Sequence, residues 1–304
     1  MSESAWRIDV HHHVLPPKYQ PTTPMPVQVP NLDEQLERME AFHIRAALTS
    51  LTPRILDAHP GRLIEVARDC NDFQAELAGR EPHTLGAFAL LPLPDVDASL
   101  RETAYALDQL RLDGVGLYSS WRGRYLGDPQ FDPVMGELDR RGATVFVHPA
   151  HACAPAEAGL GAPDGTIEYI FDSARGIVNC LWQGTFVRFP NIRWIFSHGG
   201  SAVPYLVHRL ARMESGGTVK DVRRTLRGLL YDITSAMDRH ALRSLQELAP
   251  IDHILWGTDM PFVQGEALRE EIEHEWERYD GFDQAARAAI EHGNAERLFS
   301  RFRR

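Results

Sequence analysis

Five polar residues each follow a short apolar run, and they are the residues of this chain best suited to chemistry. They are His11, His13, His148, His198 and Asp259. The apolar runs that precede them are Arg7–Val10, Ala143–Val147, Ile192–Ser197 and Ile254–Thr258. If these runs are parallel strands of a barrel, their carboxyl ends face one way and the five side chains converge. Nitrogen and oxygen donors that converge on one point are typical of a divalent metal site.

The three consecutive histidines alternate between the two faces of a strand, so His11 and His13 share one face and His12 points away from it. His148 closes the run Val-Phe-Val, and Asp259 follows Ile-Leu-Trp-Gly-Thr. Taken singly, each residue has a plainer explanation, such as a surface cluster or a hydrogen-bonded core histidine. A buried carboxylate, however, needs a cation to offset its cost. We therefore predict His11, His13, His148 and Asp259 as ligands of one divalent metal ion.

His198, in Phe-Ser-His-Gly-Gly, is better placed beside the ion than bound to it. There it would accept or pass on a proton from nearby water, whose pKa a divalent ion lowers to about 7. Barrel hydrolases with two metals commonly use a carboxylated lysine or a glutamate at the end of strand 4. Here that strand ends in Tyr118-Ser119, and the sequence has only the lysines Lys18 and Lys220, far from any strand end. We therefore predict a single metal ion.

Short apolar runs alternate with segments of helical spacing along the whole chain. The predicted strands are Ile8–Val10, Ala46–Leu51, Thr84–Leu91, Gly114–Tyr118, Ala143–Val147, Ile192–Ser197, Leu229–Thr234 and Ile254–Gly257. The predicted helices are Leu32–Phe42, Pro60–Gly79, Val96–Leu110, Gln130–Arg141, Thr166–Arg188, Val203–Met213, Leu242–Leu248 and Leu268–Tyr279. This alternation predicts an α/β fold, a (β/α)₈ TIM barrel that spans residues 1–304 as one domain. The proline-rich stretch at about 16–30 is either a linker or, as we favour, a long loop at the rim of the site.

Composition narrows the class of protein. The formal charge of −10 lacks the basic footprint of nucleic-acid binding, so no nucleic-acid partner is expected. No apolar run is long enough for a membrane span, and the start of the chain has no signal-peptide pattern. The cysteines Cys70, Cys153 and Cys180 are scattered, without CxxC spacing. Together these features predict a reduced, cytoplasmic protein that does not contact membranes.

The ordered motifs resemble the amidohydrolase-related metal-dependent decarboxylases, the group typified by aminocarboxymuconate-semialdehyde decarboxylase. The motifs are His-x-His-x-Leu-Pro at 11–16, His148-Pro149, Ser-His-Gly-Gly at 197–200 and Gly-Thr-Asp-x-Pro-Phe at 257–262. The segments Leu90–Asp97, Tyr125–Pro129 and Phe171–Ile177 look similar to the 6-methylsalicylate decarboxylase branch. The likeness covers essentially the whole chain. Met260 departs from it, because relatives often carry an aromatic residue there.

The resemblance implies one zinc ion, or manganese as in some relatives, held by the four predicted ligands with His198 alongside. In the family, an arginine eleven residues after the Ser-His-Gly-Gly histidine enters the neighbouring subunit's site and binds a substrate carboxylate. Arg209 matches that position, so the resemblance also implies a homodimer, although a salt bridge on a helix surface is a simpler role for Arg209. Arg175 and Arg54 are further candidates for binding the carboxylate.

We predict non-oxidative decarboxylation of a small aromatic or unsaturated carboxylic acid that carries an ortho hydroxyl, which makes the chain a carbon–carbon lyase. Asp259, or water held by His198, would protonate the ring carbon. Trp121, Tyr118 and Phe262 would pack on the ring, although core or rim packing explains them equally well.

Several alternatives stay open at this point. The same metal site would serve a hydrolase or hydratase acting on a lactone, a ring-fission product or an amide, and a metal-binding scaffold without activity is a third possibility. His151 would touch the substrate or be an exposed loop residue. Asp232 would orient a group of the site or simply make a hydrogen bond at the barrel end.

Overall fold

The computed structural model describes residues 6–150, 164–212 and 221–303, and a barrel of eight parallel strands lies at its centre. The barrel strands are β1 (Arg7–His13), β2 (Ile44–Ser50), β3 (Leu85–Leu90), β4 (Gly114–Tyr118), β7 (Thr144–His148), β8 (Arg193–Phe196), β9 (Leu230–Asp232) and β10 (Ile254–Leu255). A small antiparallel hairpin follows β4 and consists of β5 (Ser120–Trp121) and β6 (Arg124–Tyr125). Each predicted apolar run overlaps one barrel strand, which confirms the predicted fold class.

Helices separate the barrel strands along the chain. They are α1 (Leu32–Ala41), α2 (Arg54–Ala58), α3 (Leu63–Arg80), α4 (Val96–Ala104), α5 (Asp132–Arg141), α6 (Glu168–Trp182), α7 (Thr185–Arg188), α8 (Val203–Ala211), α9 (Val222–Arg227), α10 (Arg239–Leu248), α11 (Gly265–Glu270), α12 (Gln284–Ala288) and α13 (Asn294–Leu298). None of those in the described ranges is both long and apolar enough to cross a membrane.

Capping side chains explain where two of the predicted helices begin. The Asn31 side chain accepts a hydrogen bond from the Glu34 amide, so α1 begins at the predicted residue. The helix predicted at 242–248 begins three residues earlier, because Asp238 accepts hydrogen bonds from the amides of His240 and Ala241. Four observed helices were not predicted, namely α2, α9, α12 and α13, and each is only five or six residues long. Such short segments carry little helical periodicity to detect.

An apolar core fills the barrel below its carboxyl end. Phe88 and Phe146 stack there with ring centroids 5.2 Å apart, and Phe146 lies under the His11 ring at 4.9 Å. Phe299 and Phe302, near the end of the chain, join the same cluster of buried side chains. The site is therefore built on a packed, water-excluding floor.

Backbone hydrogen bonds between β1 and the segment after β10 close the barrel. The amide of Val10 donates to the Trp256 carbonyl at 3.0 Å, and the amide of His13 donates to the Met260 carbonyl at 2.7 Å. In return, the Asp259 amide donates to the His11 carbonyl at 2.9 Å. The first and last strands are thus joined where the predicted ligands lie.

The carboxylate of Asp9 reinforces this closure. It is fully buried, and its Oδ1 accepts hydrogen bonds from the amides of His11 at 2.9 Å and Thr258 at 3.1 Å. Its Oδ2 accepts one from the Thr258 hydroxyl at 2.6 Å and lies 3.2 Å from His12 Nδ1. His12, on the face of β1 away from the predicted ligands, therefore serves the scaffold.

We expect Asp9→Ala to lower the free energy of unfolding by roughly 3 kcal/mol, because several buried donors lose their acceptor at once. Urea denaturation in the presence of a chelator measures this without any contribution from bound metal. Asp95→Ala is the control, since Asp95 only accepts from the Ala98 amide at the start of α4, and its loss should cost about 1 kcal/mol. Equal losses in both variants would contradict a special role for Asp9.

Candidate metal centre

The structure brings the four predicted ligands together. One donor atom from each of His11, His13, His148 and Asp259 lies within 4.8 Å of the others. The Nε2 atoms of His11 and His13 are 3.1 Å apart, and Asp259 Oδ1 is 3.0 Å from His13 Nε2 and 3.5 Å from His11 Nε2. The three imidazoles are buried.

Asp232 orients His11 by a hydrogen bond to Nδ1, the ring nitrogen that faces away from the other ligands. Its Oδ2 lies 3.0 Å from His11 Nδ1, so this ring nitrogen carries the proton and Nε2 presents a lone pair. Its Oδ1 accepts hydrogen bonds from the amides of His198 at 3.1 Å and Thr234 at 2.9 Å. Of the two roles considered for Asp232, orientation of groups in the site is the one that the contacts support. One carboxylate positions both His11 and the backbone of His198.

The other two histidines are oriented in the same way. His13 Nδ1 lies 3.1 Å from the Ser50 hydroxyl, and His148 Nδ1 lies 2.8 Å from the carbonyl oxygen of Pro149. A carbonyl only accepts, so His148 carries its proton on Nδ1. Each imidazole therefore turns Nε2 toward the common centre, as metal-binding histidines do.

Burial sets the charge state of these groups. It lowers the pKa of His13 to about 3 and that of His148 to about 4, and it lowers the pKa of His11 well below the usual range. Burial also raises the pKa of Asp259 to about 7. At neutral pH the imidazoles are therefore neutral, which is the form that binds metals.

The donor set fits a divalent cation. Asp259 Oδ1 is buried and has no hydrogen-bond partner in the described part of the chain, and it faces the two Nε2 lone pairs at 3.0 and 3.5 Å. Acceptor atoms held this close repel one another unless a positive charge lies between them. Three imidazole nitrogens and one carboxylate oxygen are a donor set that suits zinc and other divalent transition metals.

Two residues of the site adopt a left-handed backbone conformation. The φ angles are 64° for Asp259 and 56° for His198. Such a conformation costs a non-glycine residue about 1–3 kcal/mol and persists only where the surroundings fix it. Here the amide of Asp259 is bound to the His11 carbonyl and that of His198 to Asp232.

A cavity of about 490 Å³ opens above the ligands. His148, His198 and Asp259 form its base, and its walls are Pro26, Thr52, Arg54, Gly165, Tyr169, Ile170, Ser235 and Phe262. Pro26 brings the proline-rich segment to the wall of the site. The guanidinium of Arg54 lies 3.4 Å from the Tyr169 hydroxyl, so a cation and an aromatic ring share one wall.

The predicted substrate contacts separate into two groups. Phe262 lines the cavity, and its ring centroid is 5.3 Å from that of His13. Tyr118 and Trp121 instead line a second cavity of about 440 Å³. Tyr118 donates its hydroxyl hydrogen to the Leu51 carbonyl at 2.9 Å, which turns the ring toward β2 and away from the ligands.

The predicted arginines also differ in their placement. Arg175 on α6 and Arg209 on α8 are exposed, and neither lines the cavity of its own chain. Among the described residues, Arg54 is the cation that lines the cavity. The only sequence signal for Arg54 was its position after strand 2. Tyr169 carried no recognisable signal at all. His151 lies outside the described residues.

Comparisons with known proteins identify several that are similar to this chain. Residues 8–301 match the model of the amidohydrolase family. The decarboxylase yanB of Aspergillus niger is 31% identical over 97% of this chain and 88% of its own length. The 6-methylsalicylic acid decarboxylase of Penicillium expansum is 30% identical over 86% of this chain and 87% of its own. The crystal structure of an amidohydrolase II superposes with a TM-score of 0.91 at 27% identity, covering 97% of this chain and 99% of that one.

We expect Asp232→Asn to weaken metal binding about 10- to 100-fold, because the amide no longer fixes the His11 tautomer. Competition with a chromophoric chelator measures the affinity for zinc and cobalt. Asp238→Asn, at the start of α10, is a control that should keep the wild-type affinity. Wild-type affinity in the Asp232 variant would rule out its orienting role.

Proposed function

The chain belongs to the amidohydrolase family, and on that basis we propose that it is a metal-dependent decarboxylase of a small ortho-hydroxyaromatic carboxylic acid. The observation that carries this proposal is the position of Arg54, on the wall of a cavity whose base holds the four donors. A substrate that spans the two would offer an anion at one end and an oxygen donor at the other. The two named decarboxylases of about 30% identity support the same reaction class.

His11, His13, His148 and Asp259 would hold one divalent ion, for which we propose zinc, with manganese as the alternative. When bound, such an ion attracts a hydroxyl or carboxylate oxygen of the substrate and stabilises negative charge on it.

Arg54 would bind the carboxylate by charge-assisted hydrogen bonds, supported by the Tyr169 hydroxyl beside it. The rings of Phe262 and Tyr169 would lie against the aromatic ring of the substrate. Thr52 and Ser235 add hydroxyl groups to the wall. A cavity of about 490 Å³ accommodates one small aromatic acid.

The chemical difficulty is that loss of CO₂ leaves an electron pair on a ring carbon. We propose that Asp259, which lies at the base of the cavity, first donates a proton to that carbon. The bond to the carboxylate then breaks, its electron pair restores the aromatic ring, and CO₂ leaves. His198 lies at the base of the cavity with its Nδ1 3.0 Å from the Ser197 hydroxyl. There it would hold water and return a proton to Asp259.

We further propose a homodimer in which Arg209 reaches the partner's cavity. Several large apolar side chains are exposed close to Arg209 in the sequence or on the neighbouring helices. Tyr205, one helical turn before Arg209 on α8, is 87% exposed, and Val187 on α7 is 59% exposed. Phe171 and Trp182 on α6 are also exposed, and α6 packs against α8. An apolar surface of this kind is typical of a protein interface.

The proposed activity predicts CO₂ release from a panel of ortho-hydroxybenzoic acids by zinc- or manganese-loaded enzyme. A chelator should abolish the release, and added metal should restore it. His11→Ala, which lacks a ligand, should neither bind metal nor release CO₂. Turnover of lactones or ring-fission diketones without any CO₂ release would contradict the decarboxylase proposal and indicate that the same site catalyses hydrolysis.

The same assay examines the binding role of Arg54. Arg54→Ala should raise KM about 10- to 100-fold, since a charge-assisted hydrogen bond contributes about 1.5–3 kcal/mol, and it should leave metal affinity unchanged. Arg101→Ala, on the exposed face of α4, is the matched control and should keep the wild-type KM. An unchanged KM for Arg54→Ala would exclude Arg54 as the carboxylate-binding residue.

A shared site predicts complementation between two inactive variants. Arg209→Ala and His11→Ala should each be inactive alone, yet mixed subunits should recover about a quarter of wild-type turnover, because half the dimers are mixed and each holds one intact site. Subunit exchange followed by the CO₂ assay and light scattering measures this. No recovery from verified mixed dimers would place Arg209 outside the partner's site.

A further inference from the structure

A buried carboxylate on α6 has no part in the chemistry proposed above. Asp172 belongs to the Phe-Asp-x-x-Arg segment of the sequence and is fully buried. Its Oδ2 accepts hydrogen bonds from the hydroxyls of Ser119 and Ser120, the latter at 3.1 Å. Its Oδ1 has no partner within the described ranges. Burying a carboxylate with one unpaired oxygen is energetically costly, so we looked for a function that Asp172 serves.

Ser119 connects this carboxylate to the strand end that carries His148. Its hydroxyl donates to Asp172, so an oxygen lone pair is left to accept the Ala150 amide at 2.8 Å. Its own amide donates to the His148 carbonyl at 2.9 Å. Ser119 therefore binds the chain on both sides of Pro149.

The Ala150 amide and the Pro149 carbonyl belong to one planar peptide group. Ser119 holds the N–H side of that group, and the carbonyl on the other side accepts the Nδ1 hydrogen of His148 at 2.8 Å. The orientation of this single peptide thus determines which way the His148 ring faces. With Nδ1 bound, Nε2 is directed to the metal centre.

Helix α6 is built to come close enough for this contact. Gly176 lies one turn after Asp172, and a Cβ placed on it would be 3.0 Å from the Ser119 carbonyl oxygen and 3.3 Å from the Ser119 Cα. A side chain at position 176 would therefore fit only if α6 and the Ser119 backbone moved apart by a few tenths of an ångström.

We propose that Asp172 and Ser119 are positioning residues for the metal ligand His148. The chain of hydrogen bonds runs from the Asp172 carboxylate through the Ser119 hydroxyl and the Pro149–Ala150 peptide to the imidazole. Each bond in such a chain polarises the next, so the carboxylate also makes His148 a more basic ligand. The proposal rests on the metal site described under the proposed function.

The test uses cobalt as a spectroscopic probe of the full-length protein without substrate. Ser119→Ala and Asp172→Asn should each bind Co²⁺ about 10- to 100-fold more weakly than the wild type. The visible absorption bands of the bound cobalt should also shift, since the geometry around His148 changes. Circular dichroism verifies that each variant is folded, and Ser119→Ala keeps the test available if Asp172→Asn does not fold.

Ser120→Ala is the matched control. It removes one hydrogen bond from the same carboxylate, whereas the Ala150 amide donates to the Ser119 hydroxyl and keeps that bond. Ser120→Ala should keep the wild-type cobalt affinity and spectrum. If any disturbance of α6 were enough to weaken metal binding, Ser120→Ala would weaken it as well.

Two outcomes distinguish the positioning role of Ser119 and Asp172 from the existence of the metal site. Wild-type affinity and spectrum in folded Ser119→Ala would overturn the positioning role and leave the metal site standing. Failure of the folded wild type to bind cobalt, zinc or manganese would overturn the metal site and the positioning role with it.

Discussion

A carboxylate taken out of water has to be surrounded by hydrogen-bond donors, and in this barrel those donors lie on several different segments. Asp9 collects its donors from β1 and from the segment after β10. Asp232 binds His11 and the backbone after β8, and Asp172 binds the segment after β4. All three are fully buried. Because satisfying each group draws different segments to one point, the arrangement of the strand ends, and of the imidazoles they carry, follows from this requirement.

Much of the site was predictable from the sequence because its ligands lie at the ends of strands. In a parallel barrel a residue at a strand end has a known direction, so the convergence of His11, His13, His148 and Asp259 followed from the position of each along the chain. The alternation of apolar runs and helical segments likewise predicted the barrel. Asp232 was recognised as a strand-end residue, but its two roles could not be separated without knowing which donors face it.

Side chains beyond the strand ends were predicted less well than the ligands, for a physical reason. Their direction depends on the path of a loop, which has no periodicity to read. Tyr118 turns toward the Leu51 carbonyl, and Trp121 lies in the hairpin after β4 and packs on Phe131 with ring centroids 5.1 Å apart. Arg54 reaches the cavity because α2 begins directly after the loop that follows β2. Aromatic and basic residues near a site are therefore weaker guides than donors that end strands.

The closure at Asp9 also has a consequence for synthesis on the ribosome. It joins residues 249 positions apart in the chain, so β1 leaves the ribosome long before the segment that completes its hydrogen bonds. At about 5–20 residues per second, that interval is on the order of ten seconds or more. Throughout it, His11 and His13 are made but Asp259 is not. During this time the nascent chain cannot assemble the full set of ligands, and capture of a metal ion by all four has to wait until the segment after β10 has left the ribosome.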